Sequence, residues 1–200
     1  MSNMIKERVC FNCQITVLTG MHIGGNKDSY GIGGVDTPVI KNPVNDRPII
    51  PGSSLKGKVR FLLEMDNQDN KLINDAFGEG KNRENNNDLM FTRILFRDFD
   101  LSKKSAETLE SKLGKGVYTE IKAENSIDSK TGKAVSPRFI ERVPAGSVFN
   151  GEIVVQVLNT DNKDELVNLL KHGLELLESS FLGGSGSRGY GQVSVKLEVK

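Results

Sequence analysis

Three neighbouring stretches decide the fold: VFNGEIVVQV (148–157), NKDELVNLLKHGLELLE (162–178) and QVSVKLEV (192–199). The first reads as a strand. In the second, Leu166, Leu169, Leu170, Leu174 and Leu177 fall on one stripe at the helical period. In the third, Val193, Val195, Leu197 and Val199 alternate with polar residues, the period of a half-buried strand. The same strand–helix–strand order stands upstream. Val9, Phe11, Cys13, Ile15 and Val17 alternate within 8–18, and Leu55, Val59, Leu62 and Leu63 predict a helix over 53–65. LMFTRILFRDF (89–99) reads as a strand buried on both faces for part of its length, over 89–97. The resulting βαββαβ order is the ferredoxin-like plan, an α+β fold with two helices on one face of an antiparallel sheet.

The residues left over are long for plain connections, and long loops in compact domains tend to carry function. Residues 19–52 are loop-like, with Gly20, Gly24, Gly25, Gly31, Gly33 and Gly34 and a short hairpin expected around NPVNDRP. A short helical piece is expected at 71–77 and a helix at 102–113. Two extended segments, 117–124 and 138–143, flank the turn-like DSKTGKAVSP. LGGSGSRGYG (182–191) is a glycine loop. One domain over 1–200 is expected, with insertions at about 19–52 and 98–147.

Composition narrows the functional classes. Two hundred residues with 36% apolar side chains and 21 glycines suffice for one packed core, which excludes wholesale disorder. No apolar run approaches the ~18 residues of a membrane span, and MSNMIKERVC lacks the core of a secretory signal. A soluble, cytoplasmic protein with no membrane partner is expected. The net charge is only +1, yet the charges are segregated. Residues 47–63 hold Arg47, Lys56, Lys58 and Arg60 with no acid, and 112–142 hold seven cations against four anions. A polyanion site would draw on those two stretches. Cys10 and Cys13 form a lone CxxC in a strand, where they point to opposite faces; with no second pair to complete a metal site, the structural reading prevails.

Three segments can carry chemistry. In PGSSLKGKVR (51–60), Ser53 or Ser54 is a good N-cap, yet Lys56 and Lys58 occupy the first turns where acids are favoured. An external phosphate would relieve that mismatch, whereas a solvated basic face is the plain alternative. The glycine loop lets backbone approach a ligand closely, and Arg188 suits bidentate phosphate contact. It follows a helix and precedes a strand, the reverse of a nucleotide-hydrolysis loop, and a tight surface connection explains it equally well. The loop TGMHIGGNKDSYGIGGVDTPV (19–39) holds His22, Asp28 and Asp36. His22 could act as a base in RNA cleavage or bind phosphate; a single aspartate can contribute to a metal site but not complete one. The aromatic stretches of a base-stacking RRM are missing, so that mode of recognition is not expected.

Taken together, TGMHIGG, GVDTPVIKNP, PIIPGSSLKGKVR, YTEIKAENSIDSKTGKAVSPRFIERVPAGSVF and LGGSGSRGYGQV closely resemble the repeated backbone subunit of type III-A CRISPR (Csm) effector complexes, a branch of the RAMP superfamily. The resemblance runs in order from Thr19 to Val193. It implies an RRM-like ferredoxin core with a protruding β-hairpin thumb, here 116–143. It also implies head-to-tail stacking of several copies along a guide RNA, beside other subunits of the complex. By the same resemblance Asp36, in GIGGVDTPV, is the residue required for endonucleolytic cleavage of guide-matched target RNA with a divalent metal, Mg²⁺ or Mn²⁺. The implied guide contacts are His22, Ser53, Ser54, Lys56, Lys58, Arg60, Arg138, Gly186 and Arg188. Two departures are Met21, where the family usually has Leu, and a chain that stops just after its last strand. The alternatives are a binding-only scaffold and a stand-alone guide-processing nuclease that uses His22 as base.

Overall fold

A computed structural model describes residues 4–25, 36–78 and 91–200. The first strand, β1 (Ile5–Val17), alternates as expected: Val9, Phe11, Cys13, Ile15 and Val17 are buried, while Arg8, Asn12 and Gln14 on the other face are exposed. Along its two edges lie β7 (Val148–Leu158) and β8 (Val193–Val199), both antiparallel to it. The far edge of β7 is lined by two short strands, β3 (Ile94–Phe96) and β4 (Phe99–Leu101), and β4 in turn pairs with β2 (Ile49–Ile50). Counting β3 and β4 as one broken strand, the spatial order 4-1-3-2 is the ferredoxin-like arrangement.

Two long helices cover the buried face. Helix α1 (Gly52–Met65) buries Leu55, Val59 and Leu63, and α4 (Lys163–Glu178) buries Leu166, Leu169, Leu170, Leu174 and Leu177. These stripes meet the inward side chains of β1 and β7 in one hydrophobic cluster. Removing that apolar surface from water is the main stabilising term, at about 25 cal/mol per Å². The smaller helices α2 (Asn70–Phe77) and α3 (Lys103–Leu113) lie in the connections where the sequence predicts short helical segments. The hairpin expected between 116 and 143 is present as β5 (Glu120–Ile127) and β6 (Ala134–Arg142), with strands that together run longer than the two extended segments read from the sequence. Cys13 sits in the core and Cys10 on the opposite face; burial pushes the Cys13 thiol up to about 12, so it is inert at neutral pH. Among the described residues no helix is long and apolar enough to cross a membrane.

Two expectations need correction. The strand read over 89–97 is split: residues 89 and 90 lie outside the described residues, Phe91 is exposed, and the ladder is interrupted at Arg97 and Asp98. The interruption has a purpose in the fold, because Asp98 Oδ1 accepts from the Gly52 N–H, 2.8 Å away, at the start of α1. The helix cap is therefore not a serine. Pro51 is the N-cap residue, with extended φ and ψ and no side-chain bond, and Ser53 and Ser54 lie inside the first turn. The carboxylate that complements the positive helix end comes from within the chain, across the β3–β4 break. The charge mismatch at the start of α1 is thus relieved in part without any external anion.

Candidate functional site

Residues 20–25 and 36–41 form the two arms of a loop. Gly24 pairs with Val39, and the Gly25 and Ile40 amides donate to the Pro38 and Ile23 carbonyls, both at 2.9 Å. The tip between the arms, with Asp28, Gly31, Gly33 and Gly34, lies outside the described residues. Both arms dock along one strand, β6, and its continuation. Met21 exchanges two backbone hydrogen bonds with Val143, at 2.9 and 2.7 Å, and the Glu141 amide donates to the Thr37 carbonyl at 3.1 Å. Because alternate amides of a strand point to opposite edges, these bonds occupy the edge of β6 turned away from β5.

Asp36 and His22 meet that same edge. Asp36 Oδ2 accepts from the Phe139 N–H at 2.9 Å; the carboxylate is exposed, and Oδ1 has no partner among the described residues. His22 Nδ1 lies 2.7 Å from the Glu141 carbonyl oxygen. A carbonyl only accepts, so Nδ1 carries the proton, and in the neutral ring Nε2 is left as an acceptor. The hairpin therefore sets the orientation of the His22 ring.

Beneath these groups lies a residue the sequence reading did not single out. Glu141 is buried, and its carboxylate accepts from the Val39 N–H (2.9 Å) and the Thr119 hydroxyl (2.6 Å) and pairs with Lys41 (2.8 Å). Burial alone would raise its pKa, but Lys41, Thr119 and Val39 together hold it below the ordinary 4.5. Glu141 thus ties the Asp36 arm to the hairpin root. An acid between Ile140 and Arg142 in a strand carries no signal of burial in the sequence, since its partners come from 22 to 102 residues away.

The glycine loop reaches the other side of His22. Gly184 N–H donates to the His22 carbonyl at 2.8 Å. Gly183 has φ +87°, and a side chain there would strike the His22 carbonyl oxygen. Gly186, in a single 3₁₀ turn, lies directly on the Phe181 ring, where no Cβ fits. Lys58 Nζ stands 3.8 Å from the centre of that ring, so α1 and the glycine loop share a surface. Lys56 and Lys58 have no anionic partner among the described residues. Burial holds both ammonium groups below their ordinary pKa, and at Lys56 the Arg60 charge adds to the effect.

The remaining sequence candidates are placed less uniformly. Ser53 is exposed and Ser54 half-buried on the first turn of α1. Arg60 is spent within the chain: it donates to Gly78 O (2.6 Å), Asn74 Oδ1 (3.1 Å) and Glu64 Oε1 (2.7 Å), which pins α2 to α1. Arg138 is exposed on β6, opposite Glu124 and one residue from the Asp36 contact. Arg188 is exposed, donates to the Ser185 hydroxyl and lies 3.8 Å from Glu124. His22, Asp36, Arg138, Gly186 and Arg188 are therefore gathered around the hairpin root, with Lys58 adjoining through Phe181, whereas Arg60 faces α2.

A divalent ion would find the Asp36 carboxylate here. Among the described residues no three His, Cys, Asp or Glu side chains cluster as a metal site. The outward oxygen of Asp36 fits an ion held by one carboxylate with its remaining ligands from phosphates and water, a common arrangement for Mg²⁺.

The RAMP superfamily model matches residues 14–194. The chain is 42% identical to the CRISPR system Cms endoribonuclease Csm3 of Streptococcus thermophilus, over 96% of this chain and 88% of the relative. It is 39% identical to the protein of that name from Mycobacterium tuberculosis, over 90% and 82%, and 39% identical to that of Methanocaldococcus jannaschii, over 96% and 80%. Among solved structures, a chain of the type III-B Cmr-beta complex bound to cognate target RNA superposes with a TM-score of 0.71 at 18% identity, covering 96% of this chain and 61% of that one. A chain of the apo Cmr-beta complex gives 0.67 at 15% identity, over 94% and 96%, and both show the shared fold. The chain belongs to the RAMP superfamily and, within it, to the Csm3 endoribonucleases of CRISPR systems.

Proposed function

We propose that this chain is a backbone subunit of a type III-A CRISPR complex that holds guide RNA and cuts guide-matched target RNA at Asp36. The observation that carries the reading is the placement of the Asp36 carboxylate. One oxygen is fixed by the Phe139 N–H on the outer edge of the hairpin, and the other has no partner among the described residues. A group held this way presents a hydrogen-bond acceptor at a set distance from whatever the hairpin inserts beside. The relatives' name, endoribonuclease, supports the same assignment.

Guide RNA would lie across Lys56, Lys58 and the first turn of α1 at Ser53 and Ser54, then over Gly186, Arg188 and His22 towards Arg138. These contacts reach phosphate and ribose, so sequence is read by guide–target pairing while the protein holds backbone. Further copies of the chain would stack head-to-tail along the guide, with other Csm subunits at the ends, in the cytoplasm. Heterologous contacts of that kind extend without closing.

In the cleavage step the 2′-oxygen of a target ribose attacks the adjacent phosphorus in line, and the P–O5′ bond breaks. The 2′-proton leaves to Asp36 or to water, and the 5′-oxygen takes up a proton. A 2′,3′-cyclic phosphate and a 5′-hydroxyl result. Asp36 orients the nucleophilic hydroxyl, and the hairpin holds the nucleotide in the extended geometry that in-line attack requires. A Mg²⁺ or Mn²⁺ ion held by Asp36, phosphates and water would neutralise charge on the phosphate oxygens.

The test uses the reconstituted complex with a matched RNA, scoring binding and cutting separately. Asp36→Ala is expected to lower the cutting rate by roughly 100-fold or more with target binding unchanged, and EDTA to do the same to wild type. Cutting at the wild-type rate by Asp36→Ala would sink the assignment. Full binding with no cuts in wild type would make the chain a scaffold.

A further inference from the structure

The hairpin is joined to the loop arms along one edge of β6 and, from one face, through the Glu141 side chain to Val39 and Lys41; a two-stranded ribbon held mainly along one edge can pivot about it. What fixes the angle must touch a face. On the face away from Glu141 a residue of the glycine loop does so, and nothing in the cleavage scheme above uses it. Tyr190 is the one aromatic side chain of the glycine loop and is buried. Its hydroxyl donates to Glu124 Oε1 of β5 at 2.6 Å. Its ring lies under two cations of the hairpin, Lys122 at 4.6 Å and Arg142 at 5.1 Å from the ring centre. Lys122 and Glu124 lie across from Ile140 and Arg138, and Arg142 lies across from Glu120, so all three contact residues share one face. Arg142 is itself held by Glu120 at 2.6 Å. On the opposite face Ile121 and Phe139 are exposed, and the buried Glu141 is held by Val39 and Lys41.

The neighbouring backbone makes Tyr190 a rigid anchor. The following residue, Gly191, donates to Gly20 O at 3.1 Å, and Leu182 N–H donates to Gly191 O at 2.8 Å. The same loop holds the His22 carbonyl through Gly184. Burial and the Glu124 bond both raise the Tyr190 pKa, so the phenol stays protonated and remains a donor at neutral pH.

We propose that Tyr190 is a positioning residue for target cleavage, setting the angle at which the hairpin stands on its edge and so which phosphodiester lies against Asp36. The proposal rests on the reading of Asp36 as the cleaving group. It assigns to the glycine loop a role beyond holding guide RNA: the segment that touches the guide also sets the register of the cut.

The experiment compares wild type, Tyr190→Phe and Tyr190→Leu in the reconstituted complex with an end-labelled matched target, recording rate, cut position and target affinity. Tyr190→Leu is expected to slow cutting about tenfold or more and to spread cuts onto neighbouring phosphodiesters, with affinity within about threefold of wild type. Tyr190→Phe, which keeps the cation–ring contacts, is expected to retain the wild-type cut positions and lose at most about threefold in rate. A merely structural tyrosine would lower the active fraction without moving the cut. An unshifted, unspread wild-type set of cuts in Tyr190→Leu, at any rate, overturns the proposal.

If Tyr190→Leu fails to assemble, Glu124→Ala removes the hydroxyl's partner from the hairpin side; the same spread of cuts supports the clamp, and an unmoved cut overturns it. Asp36→Asn run in parallel separates the two ideas. Undiminished cutting by Asp36→Asn removes the cleaving role of that residue, while the cut positions of the Tyr190 variants still report on the clamp.

Discussion

Helix α1 and the root of the β5–β6 hairpin are both rich in charge, and they dispose of it in opposite ways. At the root almost every charge is answered: Glu141 by Lys41, Arg142 by Glu120, Glu124 by Lys122 and Tyr190. On α1, among the described residues, Lys58 stands over two aromatic rings, Lys56 feels the Arg60 charge and neither has an anionic partner; partial burial depresses both pKa values. A closed network fixes geometry, whereas unanswered cations await an anion. The root is therefore built to position and α1 to bind, and variants of the two regions should fail in different assays.

The largest effect is expected at Glu141. Removing its carboxylate in Glu141→Ala leaves Lys41, Thr119 and the Val39 N–H without their shared acceptor in a buried place. Breaking such a pair costs roughly 3–5 kcal/mol. Thermal unfolding of the isolated chain should show it, with Glu141→Gln losing distinctly less. The pH dependence follows from the direction of the shift. A carboxylate held below the ordinary 4.5 stabilises the fold above that value and loses its contribution as pH falls through the lowered one. Wild type should lose stability on acidification through that window, and Glu141→Gln should follow a flatter profile. Parallel profiles would mean that Glu141 is not ionised in the folded chain.

The contrasting prediction concerns affinity. Lys56→Ala combined with Lys58→Ala should leave the melting temperature nearly unchanged. Guide-RNA affinity should fall about tenfold, and the slope of log K against log salt should flatten by roughly 0.7 for each phosphate left without its lysine. A changed cut position in this variant, with affinity intact, would reverse the division between the two regions.

How far these regions were legible in sequence differs for the same physical reason. The βαββαβ order and both long helices follow from local periodicity, because burial of one face writes itself into residue spacing, whereas the hairpin rests on two extended segments about a turn and on the family resemblance. Asp36 and His22 stood out as polar residues among glycines, and their shared docking on β6 follows only once residues 36 and 139 are brought together. Glu141, Asp98 and Tyr190 left no signal. Each is an ordinary strand or loop residue whose partner lies far along the chain: Asp98 caps a helix that begins 46 residues earlier, and Tyr190 reaches Glu124 across 66. The cap expected at Ser53 or Ser54 is the clearest case. Local rules favour a serine there, and a distant carboxylate supplies the function instead.

Arg60 makes the finest test of the comparison, because it belongs to α1 by sequence and to the closed type of network by its bonds. Its three hydrogen bonds to Glu64, Asn74 and Gly78 hold α2 against α1. Three of its five N–H groups are therefore committed within the chain, and turning the fork squarely onto a phosphate would give up bonds that stabilise the chain. Arg60→Ala should cost about 1–2 kcal/mol of folding stability, chiefly by leaving the Gly78 carbonyl and Asn74 without their donor. Guide affinity should change by less than about twofold and the salt slope not at all, in contrast to Lys56 and Lys58 on the preceding turn. Arg60→Lys should fail to restore stability, since a single ammonium cannot reproduce a fork that spans three acceptors. A loss of affinity matching that of Lys58→Ala would show that Arg60 leaves α2 when RNA binds, and the line between binding and positioning would then run through α2 instead of beside it.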